Sequence, residues 1–407
     1  MKDAFKAIKV SDNVYWVGAI DWAVRDFHGY LTRRGSTYNA YLVMADKITL
    51  IDTVKAPFKE ELLARVSSLV DLDDVQYIVS NHSEMDHTGC LPDVIEAVKP
   101  EKVFASPNGV KTLESHFHLG REIIAVKDGE TIDLGNMKLT CLETKMLHWP
   151  DSMVSYLAKD DLVFSQDGFG MHLASSERFA DEIDESILDF EAAKYYANIL
   201  LPLSGFVTKL LERVAALKLP IKIIAPDHGP IWRQDPGWII GRWAKWAAQK
   251  PTKKAVIVYD TMWGSTEKMA KAIGEGIAAG GADVKLMKLR ADHRSDVVTE
   301  LLDAGALIVG SPTINNTLFP TVADFLAYAG GLKPTNLIGA AFGSYGWSGE
   351  AVKQVRAALE QMNVEIVGED TKAKYVPDGN ALDQCYALGR QVAERLNEIC
   401  TAEVGAR

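Results

Sequence analysis

The segment Ser80–His87 brings four metal-binding side chains together directly after an apolar run. That run alternates and is rich in β-branched residues, which predicts a strand. Beyond its end, His82, Glu84 and Asp86 occupy every second position, so they share one face if the chain stays extended. His87 then points elsewhere, and one loop can serve two adjacent ions. A solvated polar loop is the competing interpretation, but the cluster lacks Lys and Arg. The sequence therefore predicts a two-metal site here.

Three later apolar runs predict strands that each end on a further candidate ligand. The candidates are His148, Asp167 and His228. A lone histidine at a strand end is more typical of a hydrogen-bonded structural residue than of a ligand. Because metal sites need several such groups converging, the three are informative only together with the first loop.

The loop and the three strand ends, in this order, resemble the metallo-β-lactamase superfamily, whose signature is His-x-His-x-Asp-His. Glu84 replaces the second histidine of that signature, and a hard carboxylate favours iron or manganese over zinc. His-x-Glu-x-Asp-His resembles the flavodiiron proteins, a branch that uses the same fold for redox chemistry. The resemblance implies one iron on His82, Glu84 and His148, a second on Asp86, His87 and His228, and a bridge by Asp167.

Length and composition suit a multidomain globular protein. A chain of 407 residues predicts two or more domains. Neither an N-terminal apolar signal nor a stretch of roughly 20 apolar residues is present, so we expect a cytoplasmic protein that does not enter the membrane. The four cysteines form no Cys-x-x-Cys pair, which excludes a rubredoxin or ferredoxin module in this sequence. A net charge of −11 argues against nucleic-acid binding.

A predicted domain boundary lies near residue 250, dividing the chain into residues 1–250 and 251–407. Residues 255–259 form an apolar run typical of a buried parallel strand, and a hydroxyl-rich turn at a predicted helix N-terminus follows. Free backbone N–H groups and the helix dipole make such a turn an anion site. The turn resembles the phosphate loop of flavodoxins, which holds the phosphate of FMN. A simple helix N-cap by Ser265 or Thr266 is the alternative.

Two later strand ends strengthen the flavin interpretation. In doubly wound sheets, ligands bind outside the carboxyl ends of the strands. This chain resembles flavodoxin-like domains at all three loops, and in those domains the second and third loops bind the isoalloxazine ring. Here these loops are residues 311–316 and 343–349. Tyr345 and Trp347 can stack on the ring or contact its edge. The predicted FMN contacts are Thr261, Met262, Trp263, Gly264, Ser265, Thr266, Pro312, Thr313, Ile314, Asn315, Asn316, Ser344, Tyr345, Gly346, Trp347 and Gly349.

Over essentially the whole chain, the two halves resemble the minimal flavodiiron proteins. The implied fold is α/β: an N-terminal metallo-β-lactamase-like αβ/βα sandwich of residues 1–250 and a C-terminal flavodoxin-like doubly wound parallel sheet of residues 251–407. The family reduces dioxygen to water or nitric oxide to nitrous oxide, using FMN and two non-haem irons. It also implies a head-to-tail homodimer or a higher oligomer. The implied electron donor is external: rubredoxin, a reduced deazaflavin or a separate reductase.

Several weaker assignments stay open. Family members place groups that line the diatomic pocket at the positions of His28 and Tyr195, but a turn histidine and a helix-face tyrosine fit equally. His172 is a candidate to hydrogen-bond a metal ligand, and Asp227 either orients His228 or caps a turn. Two other functions compete with gas reduction: a binuclear metallo-hydrolase with an accessory flavin domain, and an electron-transfer flavoprotein with a vestigial metal domain.

Overall fold

The computed structural model describes residues 4–405, which divide into two compact units. The first comprises residues 4–195 and Gly205–Ala244, and the second comprises Tyr196–Ser204 and residues 245–405. The division at residues 250/251 stays a prediction. None of the helices in the described part of the chain combines the length and the apolar composition that a bilayer span requires.

The first unit is built from sixteen short strands and seven helices. The strands are β1 (Ile8–Lys9), β2 (Val14–Trp16), β3 (Ala19–Asp21), β4 (Asp26–Phe27), β5 (Tyr30–Leu31), β6 (Ser36–Tyr38), β7 (Tyr41–Val43), β8 (Thr49–Ile51), β9 (Tyr77–Ser80), β10 (Lys102–Ala105), β11 (Ile124–Ala125), β12 (Thr131–Asp133), β13 (Lys138–Glu143), β14 (Met153–Leu157), β15 (Leu162–Gln166) and β16 (Ile223–Pro226). The helices are α1 (Lys59–Val66), α2 (Met85–Thr88), α3 (Leu91–Val98), α4 (Pro107–His116), α5 (Glu185–Tyr195), α6 (Ser204–Leu217) and α7 (Pro236–Ala247), the last two running into the second unit.

Two sheets face each other in this unit. One has the order β1-β2-β7-β8-β9-β10-β11 and the other β12-β13-β14-β15-β16. Trp16 and Tyr41 of the first sheet share a core with Phe164 of the second. A separate core joins the first sheet to the helices through Leu62 and Val94. Strands β8, β9 and β10 run parallel and are covered on both faces, which explains their unbroken apolar runs. This is the predicted αβ/βα sandwich.

The second unit is a parallel sheet covered by helices. Its strands are β17 (Lys254–Tyr259), β18 (Asp283–Lys288), β19 (Ala306–Gly310), β20 (Thr313–Ile314), β21 (Thr317–Leu318), β22 (Ile338–Tyr345), β23 (Glu365–Ile366) and β24 (Thr371–Lys374); its helices are α8 (Ser265–Ala279), α9 (Arg294–Leu301), α10 (Pro320–Leu332), α11 (Ala351–Gln361) and α12 (Gly379–Gly405). The sheet order is β18-β17-β19-β22, with β23 and β24 both beside β22. Helices α8 and α12 cover one face, where Ile273 and Leu388 pack on Ile257.

The strand order reverses direction at β17, because β18 lies on one side of it and β19 on the other. In sheets of this kind the crevice at such a switch point receives the ligand. The loops after β17, β19 and β22 leave the sheet at this edge. The predicted flavodoxin-like doubly wound fold is therefore confirmed.

Candidate metal centre and flavin site

The predicted metal loop leaves β9 and turns into a single helical turn. Glu84 is the N-cap of α2, so Asp86 and His87 reach the site from this helix. The expectation that the chain stays extended through Asp86 was wrong. The helical turn brings Asp86 and His87 into the site at consecutive positions, which an extended chain would have pointed to opposite faces.

All seven predicted ligands lie in two groups. Within each group, the potential ligand atoms are within 4.8 Å of one another. The first group is His82, Glu84, His148 and Asp167, and the second is Asp86, His87 and His228. The convergence of seven ligand side chains from four separate loops is what a metal pair requires.

Asp167 faces both groups with a different oxygen. Its Oδ2 lies 2.8 Å from Nε2 of His148 and 3.5 Å from Nε2 of His82. Its Oδ1 lies 3.2 Å from Nε2 of His87 and 3.3 Å from Nε2 of His228. A carboxylate held in this way is placed to bridge two ions.

The direction of the His87 side chain could not be inferred from sequence. In the structure it is fully buried, and Nε2 lies 3.4 Å from Oδ1 of Asp86. The other ring nitrogen, Nδ1, lies 3.5 Å from Oδ2 of Asp227. Asp227 therefore faces His87, whereas the sequence had suggested His228 as its neighbour.

His82 and His228 are oriented by hydrogen-bond acceptors that the sequence analysis did not identify. Nδ1 of His82 lies 3.3 Å from Oδ2 of Asp151, which also accepts a 2.7 Å bond from the N–H of Ser83. Nδ1 of His228 donates to the carbonyl of Thr37 at 2.6 Å. In metal sites, such acceptors fix the tautomer and leave Nε2 for the ion. Asp151 stands in the loop of His148 and was detectable, whereas Thr37 acts through its backbone and has no side-chain signature.

Histidines and carboxylates of the site shift each other's pKa values. Burial opposes the charge on His82, but hydrogen bonds to Asp151 and Glu84 outweigh it and raise the pKa of His82 to about 10. Burial also opposes the charge on Asp167, yet His87 and the other histidines hold the pKa of that carboxyl well below its usual range. Both shifts favour the charged form of the side chain, the imidazolium of His82 and the carboxylate of Asp167. Metal binding displaces such protons.

Unpaired polar atoms provide an independent test of whether the residues suit a metal. Both carboxylate oxygens of Asp86, both ring nitrogens of His87 and Oδ1 of Asp167 are buried without a hydrogen-bond partner. Buried polar atoms are rarely left in this state because desolvation is costly. The mixed oxygen and imidazole donor set suits iron. The site therefore fits a pair of non-haem irons.

The two predicted pocket residues have different environments. His28 is exposed, with Nε2 3.4 Å from Oε1 of Glu84. Tyr195 ends α5, is buried, and lies 6.3 Å from His228 between ring centroids. The ring of His172 contacts those of Tyr195 and His228 edge-on, at centroid distances of 5.1 and 4.6 Å, and its Nδ1 lies 2.9 Å from the hydroxyl of Ser36.

In the second unit, a pocket of about 410 Å³ opens where the loops after β17, β19 and β22 meet. Twelve of the predicted FMN contacts line it: Met262, Trp263, Ser265, Pro312, Thr313, Ile314, Asn315, Asn316, Ser344, Tyr345, Gly346 and Trp347. Ser348 and Tyr375 also line it and were missed. Tyr375 follows β24, whose pairing with the end of β22 brings a fourth strand end to the pocket. A short polar strand followed by an aromatic residue was the available signal.

The turn after β17 is built as an anion cradle. Gly264 has φ of 86° and precedes the first residue of α8, so the helix begins without a side-chain cap. The hydroxyl of Thr261 accepts from the N–H of Gly264 at 3.0 Å. The hydroxyl of Thr266 lies 2.9 Å from that of Ser344. Thr261 and Thr266 thus brace the turn, leaving the helix N-terminus to a phosphate. These two residues, Gly264 and Gly349 lie outside the pocket lining, and their FMN contacts stay predictions.

Comparisons with known proteins cover both units. Residues 37–229 match the ODP family beta lactamase and residues 257–389 match flavodoxin. The chain is 47% identical to the nitric oxide reductase of Moorella thermoacetica, over 96% of this chain and 98% of that protein. Its structure is similar to rubredoxin oxygen:oxidoreductase from Desulfovibrio gigas, with a TM-score of 0.95, 45% identity, and coverage of 97% of this chain and 100% of that one.

The flavodiiron protein from Giardia intestinalis is also similar in structure, with a TM-score of 0.92 and 34% identity over 98% of each chain. All three likenesses extend across the metal-binding unit and the flavin-binding unit together. The chain belongs to the flavodiiron proteins.

Proposed function

We propose that this protein reduces dioxygen to water, nitric oxide to nitrous oxide, or both, with electrons that an external donor supplies through FMN to two non-haem irons. The observation that carries the proposal is the placement of Asp167, whose two oxygens face the two ligand groups separately. Relatives named nitric oxide reductase and rubredoxin oxygen:oxidoreductase support it, because each matches both halves of the chain. The cofactors are FMN and two irons.

In this proposal each iron takes three terminal ligands. The first iron takes His82, Glu84 and His148, the second takes Asp86, His87 and His228, and Asp167 bridges them. Two adjacent ferrous ions can jointly hold a diatomic molecule and supply electrons to it. Asp151 and the carbonyl of Thr37 keep Nε2 of their histidines turned to the ions, and the buried walls exclude water.

Tyr195 and His28 act beside the ions. Burial, together with the charges of Asp167 and Asp86, holds the pKa of Tyr195 well above its usual range. The phenol therefore stays neutral and can donate a hydrogen bond toward the gas pocket. Nε2 of His28 lies 3.4 Å from Oε1 of Glu84, where it can hold that ligand in place from the solvent side.

The pocket of the second unit would hold FMN. The backbone amides that open α8 and the hydroxyl of Ser265 would bind its phosphate. Tyr345, Trp347 and the loop residues 312–316 would hold the ring. The missed Tyr375 extends this aromatic wall.

We also infer a head-to-tail homodimer in which the flavin of one chain serves the irons of the other. Trp263 and Trp347 border the flavin pocket and are 92% and 87% exposed. Large exposed aromatics of this kind mark interaction sites. Rubredoxin is the donor that fits the relative named for it, and a reduced deazaflavin or a separate reductase would deliver electrons to the same flavin.

The competing hydrolase hypothesis explains the metal loop, but hydrolysis requires no flavin and leaves the flavodoxin-like half without a function. Product and cofactor analysis of the purified protein separates the two. Gas reduction requires two irons and one FMN per chain, and consumption of dioxygen or nitric oxide that depends on the reduced donor. Two zincs, with ester, thioester or amide hydrolysis and no gas consumption, would refute the proposal.

A further inference from the structure

A two-stranded ribbon forms one wall of the flavin pocket. In it, Thr313 pairs with Leu318 and Ile314 with Thr317. Asn315 and Asn316, at its tip, have φ of 50° and 59°, as a two-residue hairpin turn of the type I′ class requires. An isolated ribbon of this size is only marginally stable by itself. Its conformation therefore depends on contacts from outside.

The side-chain amide of Gln354, on α11, supplies those contacts. Its Oε1 accepts 2.8 Å and 3.1 Å bonds from the hydroxyl of Thr317 and the N–H of Leu318. Its Nε2 donates to the carbonyl of Asn316 at 3.5 Å. One amide thus holds three consecutive residues, Asn316 of the turn and both residues of the returning strand, which is possible because it both accepts and donates.

The third flavin loop reaches the same hairpin tip. The hydroxyl of Ser348 donates to Oδ1 of Asn316 at 3.3 Å. Ser348 itself lines the pocket beside Trp347. Ribbon, third loop and α11 are thus linked through polar groups around one pocket wall.

We propose that Gln354 is a positioning residue that fixes the hairpin of residues 313–318 against the flavin ring and thereby sets the reduction potential of FMN. Reduction of the flavin by two electrons adds a proton at a ring nitrogen, which turns that atom from an acceptor into a donor. A fixed hairpin cannot reorient its peptide groups to accept from the new donor. A hairpin freed from Gln354 can do so, and it then stabilises the reduced flavin more than the oxidised one.

The inference rests on the assignment of this pocket to FMN. Gln354→Met keeps most of the side-chain volume and removes all three hydrogen bonds. Thr317→Val removes the hydrogen bond from the Thr317 hydroxyl to Gln354. It tests the contact between the hairpin and Gln354 without changing a residue of α11. Lys353→Ala, at the exposed neighbouring position on α11, is the matched control.

The experiment measures FMN dissociation by fluorescence and the midpoint potential by anaerobic titration on full-length, iron-loaded protein. We expect Gln354→Met to weaken binding of oxidised FMN about tenfold. We expect its potential to become less negative, by about 30 mV for each tenfold gain in preference for reduced flavin. Thr317→Val should shift both quantities in the same direction, and its effect should not add to that of Gln354→Met.

Unchanged affinity and potential in both variants would overturn the inference. So would weaker FMN binding without a change in potential, since a hairpin held only for stability would weaken both flavin states equally. Failure of the unsubstituted protein to bind FMN at all would instead refute the assignment of the pocket.

Discussion

At the scale of single residues, the convergence of the seven candidate ligands was predictable because their segments follow apolar strands and the chain offers few alternatives. What orients them was only partly predictable. Neither role considered for Asp227, orienting His228 or capping a turn, included its contact with His87, because a side chain adjacent to His228 in sequence points to His87 in space. The carbonyl of Thr37 could not be found, since a backbone group carries no residue signature.

Asp151 allows the orientation of a ligand to be tested separately from ligation. Asp151→Ala removes the acceptor for Nδ1 of His82 and for the N–H of Ser83. We expect iron affinity to fall about 10–100-fold, as is typical when a ligand histidine loses its partner. Iron retention against a chelator measures this. Asp71→Ala, an exposed carboxyl, is the control, and equal retention in both variants would show that Asp151 does not orient His82.

Glu84 is the residue that separates this chain from the zinc-binding pattern. Glu84→His restores the His-x-His-x-Asp-His signature. We therefore expect the first ligand group to bind zinc in preference to iron. The measurement is the metal content after loading from an equimolar mixture of ferrous iron and zinc. A variant that still takes two irons and reduces gas at the parent rate would show that the carboxylate does not select the metal.

At the scale of elements, strand ends were more predictable than the short structures that follow them. The three flavin loops follow strands as expected, but the one-turn helix of the metal loop and the hairpin of β20 and β21 were not anticipated. Tertiary hydrogen bonds contribute to both, from Thr53 to the carbonyl of His87 and from Thr317 and Leu318 to Gln354. The glycines of residues 274–281 lie in and just after α8.

Gly276 of α8 and Gly389 of α12 allow these two helices to pack closely against each other. A Cβ on Gly276 would lie 2.1 Å from the carbonyl oxygen of Tyr386, and one on Gly389 would lie 2.1 Å from that of Ile273. We expect Gly389→Ala to lower the free energy of unfolding by about 1–3 kcal/mol through overpacking of α8 against α12. Gly331→Ala, with open space around its Cβ, should be neutral or stabilising. Equal denaturant midpoints for the two variants would contradict this close packing.

At the scale of the whole molecule, the order and class of the two halves were predictable, because each carries its own set of motifs. Assembly could be inferred only from the family resemblance and stays a prediction, since it depends on surfaces that exist only after folding. The exposure of Trp263 and Trp347 beside the flavin pocket is a property of the folded chain, and no spacing in the sequence indicates it.

The proposed dimer leads to a prediction about concentration. We expect a dimer by analytical ultracentrifugation at micromolar concentration, and we expect activity per chain to fall on dilution once the dimer dissociates. The physical reason is that, in the proposed dimer, the partner's metal pair accepts the flavin electrons, so dissociation would separate the flavin from that acceptor. A monomer with full activity would contradict electron transfer between chains.

The central claim is that electrons leave FMN through the metal pair. Its most direct test is anaerobic stopped-flow mixing of the reduced, iron-loaded protein with dioxygen or nitric oxide, followed by flavin absorbance. A parallel sample carries the same FMN but has its irons removed by chelation. The account predicts rapid flavin reoxidation by at least one gas in the iron-loaded protein and much slower reoxidation in the iron-free protein. Equal rates in the two samples would contradict it.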